Sequence, residues 1–95
     1  MSYDINILGI KTSGKHGIYE IEKSNAHVMM NLAVTLRELN RLDESEQHFI
    51  SSLEIEKNPD CLNNYAILNI KKKKYNDAIK LLDMAIKKII VLFTN

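Results

Sequence analysis

The chain has 95 residues, with 13 Lys and Arg against 12 Asp and Glu and a formal net charge of +1. This length suits one small domain, and the near-neutral charge excludes a global field that would steer the chain to nucleic acid or to a membrane. One cysteine, Cys61, excludes an internal disulfide and favours a reducing, cytoplasmic compartment. The sequence carries neither a basic-then-apolar start nor an apolar run of roughly 18 residues, so we expect no secretory signal and no membrane span.

Residues 1–17, MSYDINILGIKTSGKHG, predict a flexible, glycine-containing arm. Positions 4–10 alternate loosely and could form a short strand, and positions 9–15 match the first seven residues of a phosphate-binding P-loop. The match fails at the eighth position, because His16 cannot supply the hydroxyl that contacts Mg²⁺. Gly17 also discourages the helix whose N-terminus would hold phosphate. We therefore expect no nucleotide site here.

A first helix is predicted after the arm, over AHVMMNLAVTLREL, with Ser24 or Asn25 as its N-cap. Apolar side chains at three- and four-residue steps predict its buried stripe: Met29, Leu32, Ala33, Leu36 and Leu39. Asn40 and Arg41 then turn the chain, and the stripe predicts that this helix packs against the next one.

The second helix is predicted to begin near Asp43 and Glu46, whose three-residue spacing is a variant of the capping box. It ends near Lys57 and buries three side chains: Phe49, Ser52 and Leu53. Asn58 can cap the following helix, with Pro59 in the first helical position, where its missing N–H has no cost.

Residues 60–93 repeat this design. Tyr65, Ala66 and Asn69 share one face of the first helix of this unit, and Asn76 suits the N-cap of the second helix. The predicted apolar face of the second helix contains six residues: Ala78, Ile79, Leu82, Ala85, Ile86 and Ile89. Small residues on both helices would let the two backbones approach closely.

The two units align without a gap at a constant offset of 33 residues, since Asn31 falls on Asn64 and Phe49 on Leu82. The tetrapeptide EIEK also occurs twice, starting at Glu20 and at Glu54. We therefore expect residues 18–25 to be the end of a partial repeat upstream.

These units resemble tetratricopeptide repeats, which are helix–turn–helix units of about 34 residues. In that family a bulky residue precedes a Leu-Gly pair on the first helix, and a small residue, an aromatic and a second small residue follow on the second helix. The first pattern corresponds to Met29, Leu32 and Ala33, and then to Leu62, Tyr65 and Ala66. The second corresponds to Ser45, Phe49 and Ser52, and then to Ala78, Leu82 and Ala85.

The chain departs from the family pattern at several positions. Neither glycine is kept, the tyrosine position of the first helix holds Leu36 and then Asn69, and the proline position holds Lys57. The resemblance implies an all-α fold, an α-solenoid of antiparallel helix–turn–helix hairpins. It divides the chain into the arm at 1–17, a partial repeat at 18–25 and two repeats at 26–59 and 60–93.

The resemblance also implies a function in protein–protein interaction, because the first helices of such repeats line a concave groove that holds an extended peptide or a partner helix. Eight residues would line this groove: His27, Met30, Asn31, Val34, Asn63, Asn64, Ile67 and Lys71. Asn31 and Asn64 are equivalent, and an Asn amide can bind any peptide backbone. This resembles the Asn ladder of glycosyltransferase repeat arms and part of the carboxylate clamp of chaperone-binding repeats, although His27 stands where that clamp has Lys. Alternatively, these Asn residues only solvate the helix.

No catalytic, metal or cofactor site is expected. His16, His27, His48 and Cys61 lack metal-ligand spacing. The lysine run 71–74 predicts either a solvated turn that complements a helix C-terminus or a basic rim for an acidic peptide. The alternatives to a binding module are the substrate-recruiting arm of a larger enzyme, of the glycosyltransferase or peptidyl-prolyl isomerase type, and an architectural spacer.

The end of the last helix is unusually apolar for a surface, with IIVLF at residues 89–93. Each solenoid repeat buries its far face on the next repeat, so these side chains need a cover. We expect either a longer protein or self-association through Ile89, Ile90, Leu92 and Phe93.

Overall fold

The computed structural model describes the backbone of residues 15–94 and the side chains of residues 24–94. Its four helices are α1 (Lys15–Glu38), α2 (Leu42–Ile55), α3 (Pro59–Lys71) and α4 (Tyr75–Thr94). No strand occurs among the described residues, and α1 packs on α2 as α3 packs on α4. The predicted all-α architecture of antiparallel helical hairpins is therefore confirmed.

Helix α1 begins earlier than the sequence predicted. Ser24 and Asn25 lie inside an unbroken helix of 24 residues, so the predicted N-cap at these residues is wrong. The preceding residues, IYEIEK, are compatible with helix and continue it upstream through Gly17. That residues 18–25 end a partial repeat stays a prediction. The possible strand at 4–10 and, apart from Lys15, the P-loop-like segment lie outside the described residues.

The two hairpin turns have the same geometry one repeat apart. Asn40 and Lys73, which are 33 positions apart, both adopt a left-handed backbone with φ near 64° and 63°. After each, a backbone N–H reaches back five residues, from Arg41 to Leu36 O at 2.9 Å and from Lys74 to Asn69 O at 2.7 Å. This is the hydrogen-bond pattern that ends a helix in a Schellman motif.

The start of α2 differs from the prediction. Arg41 occupies the N-cap position without a side-chain capping bond, so the capping box predicted from Asp43 and Glu46 is wrong. Both carboxylates instead contact the Lys72 ammonium, which lies just after α3. An acidic pair at this spacing can face a neighbouring helix as readily as its own backbone, and the sequence does not distinguish the two.

The start of α3 agrees with the prediction. Pro59 is the first helical residue, and the Asn58 side chain accepts a hydrogen bond from the Asp60 N–H at 2.7 Å. The predicted cap of α4 is wrong, because α4 already begins at Tyr75 and Asn76 lies inside it.

The first hairpin is held by close approach of its two backbones. Ser45 and Ser52, both buried, donate from Oγ to the carbonyl oxygens of Ala33 at 2.6 Å and Ala26 at 2.7 Å. Such bonds require small residues at the helix crossing. The Phe49 ring lies next to this crossing and stacks on Tyr65 of α3, with 5.6 Å between ring centroids. The main core therefore joins the two repeats.

The buried face of α1 is rotated from the predicted stripe. Ala33 and Leu36 are buried as predicted, whereas Leu32 and Leu39 are exposed. Their places in the core are taken by three other residues: Ala26, Met30 and Arg37. On α4, Ala78 and Ala85 are buried as predicted, but Ile79, Ile86 and Ile89 are exposed. Both helices are apolar on more than one side, so periodicity alone does not select the face that packs within the hairpin.

Candidate functional site

Helices α1 and α3 lie side by side and carry all eight residues of the predicted groove. Five of them are exposed: His27, Asn31, Asn63, Ile67 and Lys71. Val34 and Asn64 are half-buried. Met30 is buried in the core cluster with Ala33, Phe49, Cys61 and Leu68. Because α2 and α3 cover it, Met30 is therefore buried in the core and not exposed in the groove, where the sequence had predicted it.

Polar contacts join α1 and α3 beside the apolar core cluster. Arg37 Nη1 donates to the Asn64 carbonyl oxygen at 2.9 Å, and Lys71 Nζ lies 3.4 Å from the Arg37 carbonyl oxygen. The Asn64 amide nitrogen donates to Asp60 O at 3.0 Å and lies 3.9 Å from the Met30 sulfur. Of the predicted groove residues, Asn64 thus contacts Met30 directly, and Asn64 and Lys71 both contact Arg37.

Arg37 is the residue of this face that sequence reasoning missed. Only 7 % of it is exposed, and its guanidinium joins α1 to the backbone of α3 and also contacts the Glu38 carboxylate at 3.4 Å. A charged residue is buried at acceptable cost only when it has such partners. The sequence feature that could have predicted this burial is the position of Arg37. It follows Ala26, Met30 and Ala33 at three- and four-residue steps, which put all four residues on one face of the helix.

The lysine run at 71–74 is mostly structural. Lys71 reaches the C-terminal end of α1, and Lys73 holds the left-handed turn. Lys72 Nζ contacts Glu46 Oε1 at 2.8 Å and Asp43 Oδ1 at 3.2 Å, which links the turn after α3 to α2. Of these three lysines, Lys71 is the one that belongs to the predicted groove.

Glu46 is the centre of a small polar network between the repeats. Its carboxylate accepts hydrogen bonds from Lys72 and from the Tyr65 hydroxyl, the latter at 2.7 Å. The bond from Lys72, followed by that from Tyr65, lowers the pKa of Glu46. The same bond raises the pKa of Lys72, and burial together with Glu46 raises the pKa of Tyr65. All three shifts favour the protonation states that hold the repeats together.

Cys61 is unsuited to nucleophilic chemistry. It is fully buried between α2 and α3, with Sγ 3.9 Å from the Phe49 carbonyl oxygen, and burial raises the pKa of its thiol. A reactive cysteine needs access and a lowered pKa. A cavity of about 280 Å³ adjoins Cys61, and His27, Met30 and Glu56 contribute to its lining. Two of these lining residues, His27 and Met30, are also residues of the predicted groove.

Between residues 15 and 94 no helix is both long enough and apolar enough to cross a membrane. The same part contains no group of three or more His, Cys, Asp or Glu side chains that could hold a metal ion.

One family model matches part of the chain. Residues 25–57 match the family model of the tetratricopeptide repeat, and this range covers the second half of α1, the turn and all of α2. Neither a curated protein nor a solved structure matches the chain. Repeats of this family are in general interaction modules rather than catalysts. The matched range is the first hairpin, and the second hairpin repeats its turn geometry 33 residues later.

Proposed function

Because this chain is a tetratricopeptide-like repeat protein, we propose that it binds an extended segment of another protein across α1 and α3. The proposal rests on a pair of side chains that recurs in both repeats on the surface shared by α1 and α3, which is called the open face below. Asn31 and Asn64 occupy one repeat position, and Val34 and Ile67 occupy another three residues later. Each repeat thus offers one amide and one aliphatic side chain at the same place.

The spacing of neighbouring helices suits an extended peptide. Packed helices lie about 8–10 Å apart, and an extended strand advances about 3.3 Å per residue. A peptide that crosses α1 and α3 would therefore meet Asn31 and Asn64 about three residues apart. Contacts through the backbone at that interval would be tolerant of peptide sequence.

Each residue has a distinct role in this proposal. The Asn64 nitrogen already donates to Asp60 O, so Oδ1 is the atom that would accept a peptide N–H. Val34 and Ile67 would contact apolar side chains. Lys71 is exposed at one end of the face and would attract an acidic group. Met30 is buried and would support the floor of the site from below.

Selection from a random peptide library displayed on phage would test this function, followed by fluorescence anisotropy with the enriched peptides. Asn31→Ala combined with Asn64→Ala should weaken binding, because each lost hydrogen bond costs about 0.5–1.5 kcal/mol, which for two bonds is roughly a 5- to 150-fold rise in Kd. Lys71→Glu should disfavour peptides with acidic residues. Gln47→Ala, an exposed change on α2, is the matched control and should leave Kd unchanged.

The other interpretations predict different results. An architectural spacer would enrich no peptide at all. Enriched peptides that bind the double variant as well as the native chain would move the site away from α1 and α3. A recruiting arm of a larger enzyme would use the same groove, and a catalytic domain in the same reading frame would identify it.

Self-association through Ile89, Ile90, Leu92 and Phe93 is a separate part of the proposal. All four side chains are exposed at the end of α4. Ile90→Lys with Leu92→Lys should reduce any association of the chain measured by sedimentation equilibrium.

A further inference from the structure

We propose that copies of this chain stack head to tail, with α1 of one copy on α4 of the next. The contact would reproduce the packing of α3 on α2 inside the chain. The contact of α1 with α4 uses neither Asn31 nor Asn64, so it can be tested without a peptide.

The internal interface supplies the template for this contact. Helix α3 lies antiparallel to α2, since its N-terminal Cys61 contacts Phe49 while Lys72, just after its C-terminus, reaches Asp43 and Glu46 near the start of α2. Tyr65 lies between these ends, stacked on Phe49 and bonded to Glu46. The α2 side of the interface is thus Asp43, Glu46 and Phe49, and the α3 side is Cys61, Tyr65 and Lys72.

The repeat offset places the same two faces on α4 and α1, where no other helix of the described residues covers them. Adding 33 to the α2 residues gives a face of α4: Asn76, Ile79 and Leu82. Subtracting 33 from the α3 residues gives a face of α1: Val28, Leu32 and Leu39. Leu82 is half-buried and the other five residues are exposed, with Ile79 at 63 % and Leu39 at 61 %.

Compared with the internal interface between α2 and α3, both end faces, on α1 and α4, have apolar side chains where that interface has its polar network. Inside the chain, Glu46 is satisfied by Tyr65 and Lys72. At the corresponding positions of the end faces all three residues are aliphatic: Ile79, Leu32 and Leu39. A change on one face alone would leave a buried charge or hydroxyl without its partner. The two faces are therefore complementary to each other, and this favours a second copy as the occupant.

Helix lengths agree with this pairing. The internal pair, α2 and α3, has 14 and 13 residues, whereas the end helices α1 and α4 have 24 and 20. The additional residues of α1 precede Ala26, the equivalent of Pro59, and those of α4 follow Lys88, the equivalent of Ile55. In an antiparallel contact these two extensions lie at the same end. The extension of α1 would then run beside the apolar end of α4.

Stacking also bears on the peptide site, and in this one respect it extends the proposed function. Inside the chain, α1 contacts α3 through Arg37 and Asn64. In a stack, α1 of the second copy would take the corresponding place beside α3 of the first. The open face would then continue from one copy to the next. A contact of this kind joins two different faces, so it is heterologous and can repeat.

Sedimentation velocity over a wide range of protein concentration tests the stack. The native chain should form species larger than a dimer as the concentration rises. Leu39→Glu breaks the α1 face and Ile79→Glu breaks the α4 face, and each variant alone should stay monomeric at concentrations where the native chain stacks, with Kd raised about tenfold or more. Both residues are more than half exposed, so the variants should fold, and circular dichroism will verify their helicity.

Mixing the two variants gives the decisive result. The intact α4 face of Leu39→Glu should bind the intact α1 face of Ile79→Glu. The mixture should form a 1:1 dimer that grows no further, because the two altered faces left at its ends both carry a carboxylate. A second check is charge rescue, since Ile79→Glu should abolish stacking and the added Leu39→Lys should restore it by recreating the Glu46–Lys72 pair. Ile55→Lys, an exposed isoleucine outside both faces, is the matched control and should stack like the native chain.

Two outcomes would overturn the proposal. A native chain that stays monomeric at the highest concentration would show that the end faces do not recognise each other. Leu39→Glu that still associates while Ile79→Glu does not would indicate a symmetric contact between two copies of α4 instead.

Discussion

The two hairpins share one backbone plan and differ in what covers their second helix. Helix α2 lies between α1 and α3, whereas α4 has α3 on one side and no further helix of the described chain on the other. The effect is visible at equivalent positions, because Phe49 is fully buried while Leu82 is only half-buried. In a repeat protein the burial of a side chain is thus decided by the neighbouring repeat as much as by the side chain itself.

The hairpins also differ in how their helices are joined. The crossing in the first hairpin has two hydroxyls, Ser45 and Ser52, each bonded to a carbonyl of α1. The second hairpin has Ala78 and Ala85 at these positions, so its crossing is closed by methyl groups alone. The same small-residue requirement is therefore met with and without hydrogen bonds.

The largest expected effect is the loss of the central ring. Phe49→Ala should lower the free energy of unfolding by about 3–5 kcal/mol, because it removes a fully buried side chain and leaves a cavity between repeats. Leu82→Ala at the equivalent position should cost clearly less, since Leu82 is partly exposed already. Urea denaturation of both variants measures the difference.

Phe49→Leu is the control for this comparison, because it gives the first hairpin the residue of the second and should cost less than Phe49→Ala. Equal losses for Phe49→Ala and Leu82→Ala would contradict the view that α3 makes one position more buried than the other.

A smaller effect is expected for the buried hydroxyls. Ser45→Ala should lower the free energy of unfolding by about 0.5–1.5 kcal/mol, because the bond to Ala33 O is lost. Ala78→Ser is the reverse experiment, since its hydroxyl would meet the equivalent carbonyl of Ala66 and should stabilise the second hairpin. Ser51→Ala, at a partly exposed position of α2, is the matched control for thermal unfolding. A Ser45→Ala variant as stable as the native chain would show that the bond adds nothing.

The smallest expected effect is on the pH dependence of stability. The pKa of Glu46 is lowered in the folded chain, so its contribution is present above the ordinary carboxyl pKa of about 4.3 and is lost as the pH falls through the folded value. The pKa values of Lys72 and Tyr65 are raised, so their contribution is present below about pH 10 and is lost as the pH rises through their folded values.

Glu46→Gln tests this dependence by urea denaturation at several pH values. The native chain should lose stability relative to the variant on acidification, by up to about 1 kcal/mol, as for a partly exposed ion pair. The second hairpin has Ile79 at this position, so Ile79→Gln is the matched control and should leave the pH profile unchanged. Parallel profiles for Glu46→Gln and the native chain would contradict a role for this network.

The sequence by itself determined the repeat. The 33-residue offset, the turns at Asn40 and Lys73 and the start of α3 at Asn58 and Pro59 all follow from local signals, because turns, caps and small residues act over a few residues of chain. It also predicted which helices carry the candidate groove.

Only the tertiary structure decided which faces are used. The periodicity predicted Met29 and Leu32 in the core and Met30 in the groove, yet α2 and α3 cover Met30 and leave Leu32 open. Asp43 and Glu46 looked like a cap, yet Lys72 of the next repeat binds them. The physical reason is that each helix has an apolar or charged face for its hairpin partner and another for the adjacent repeat. Local periodicity records both faces, and only the position of the neighbouring helices assigns them.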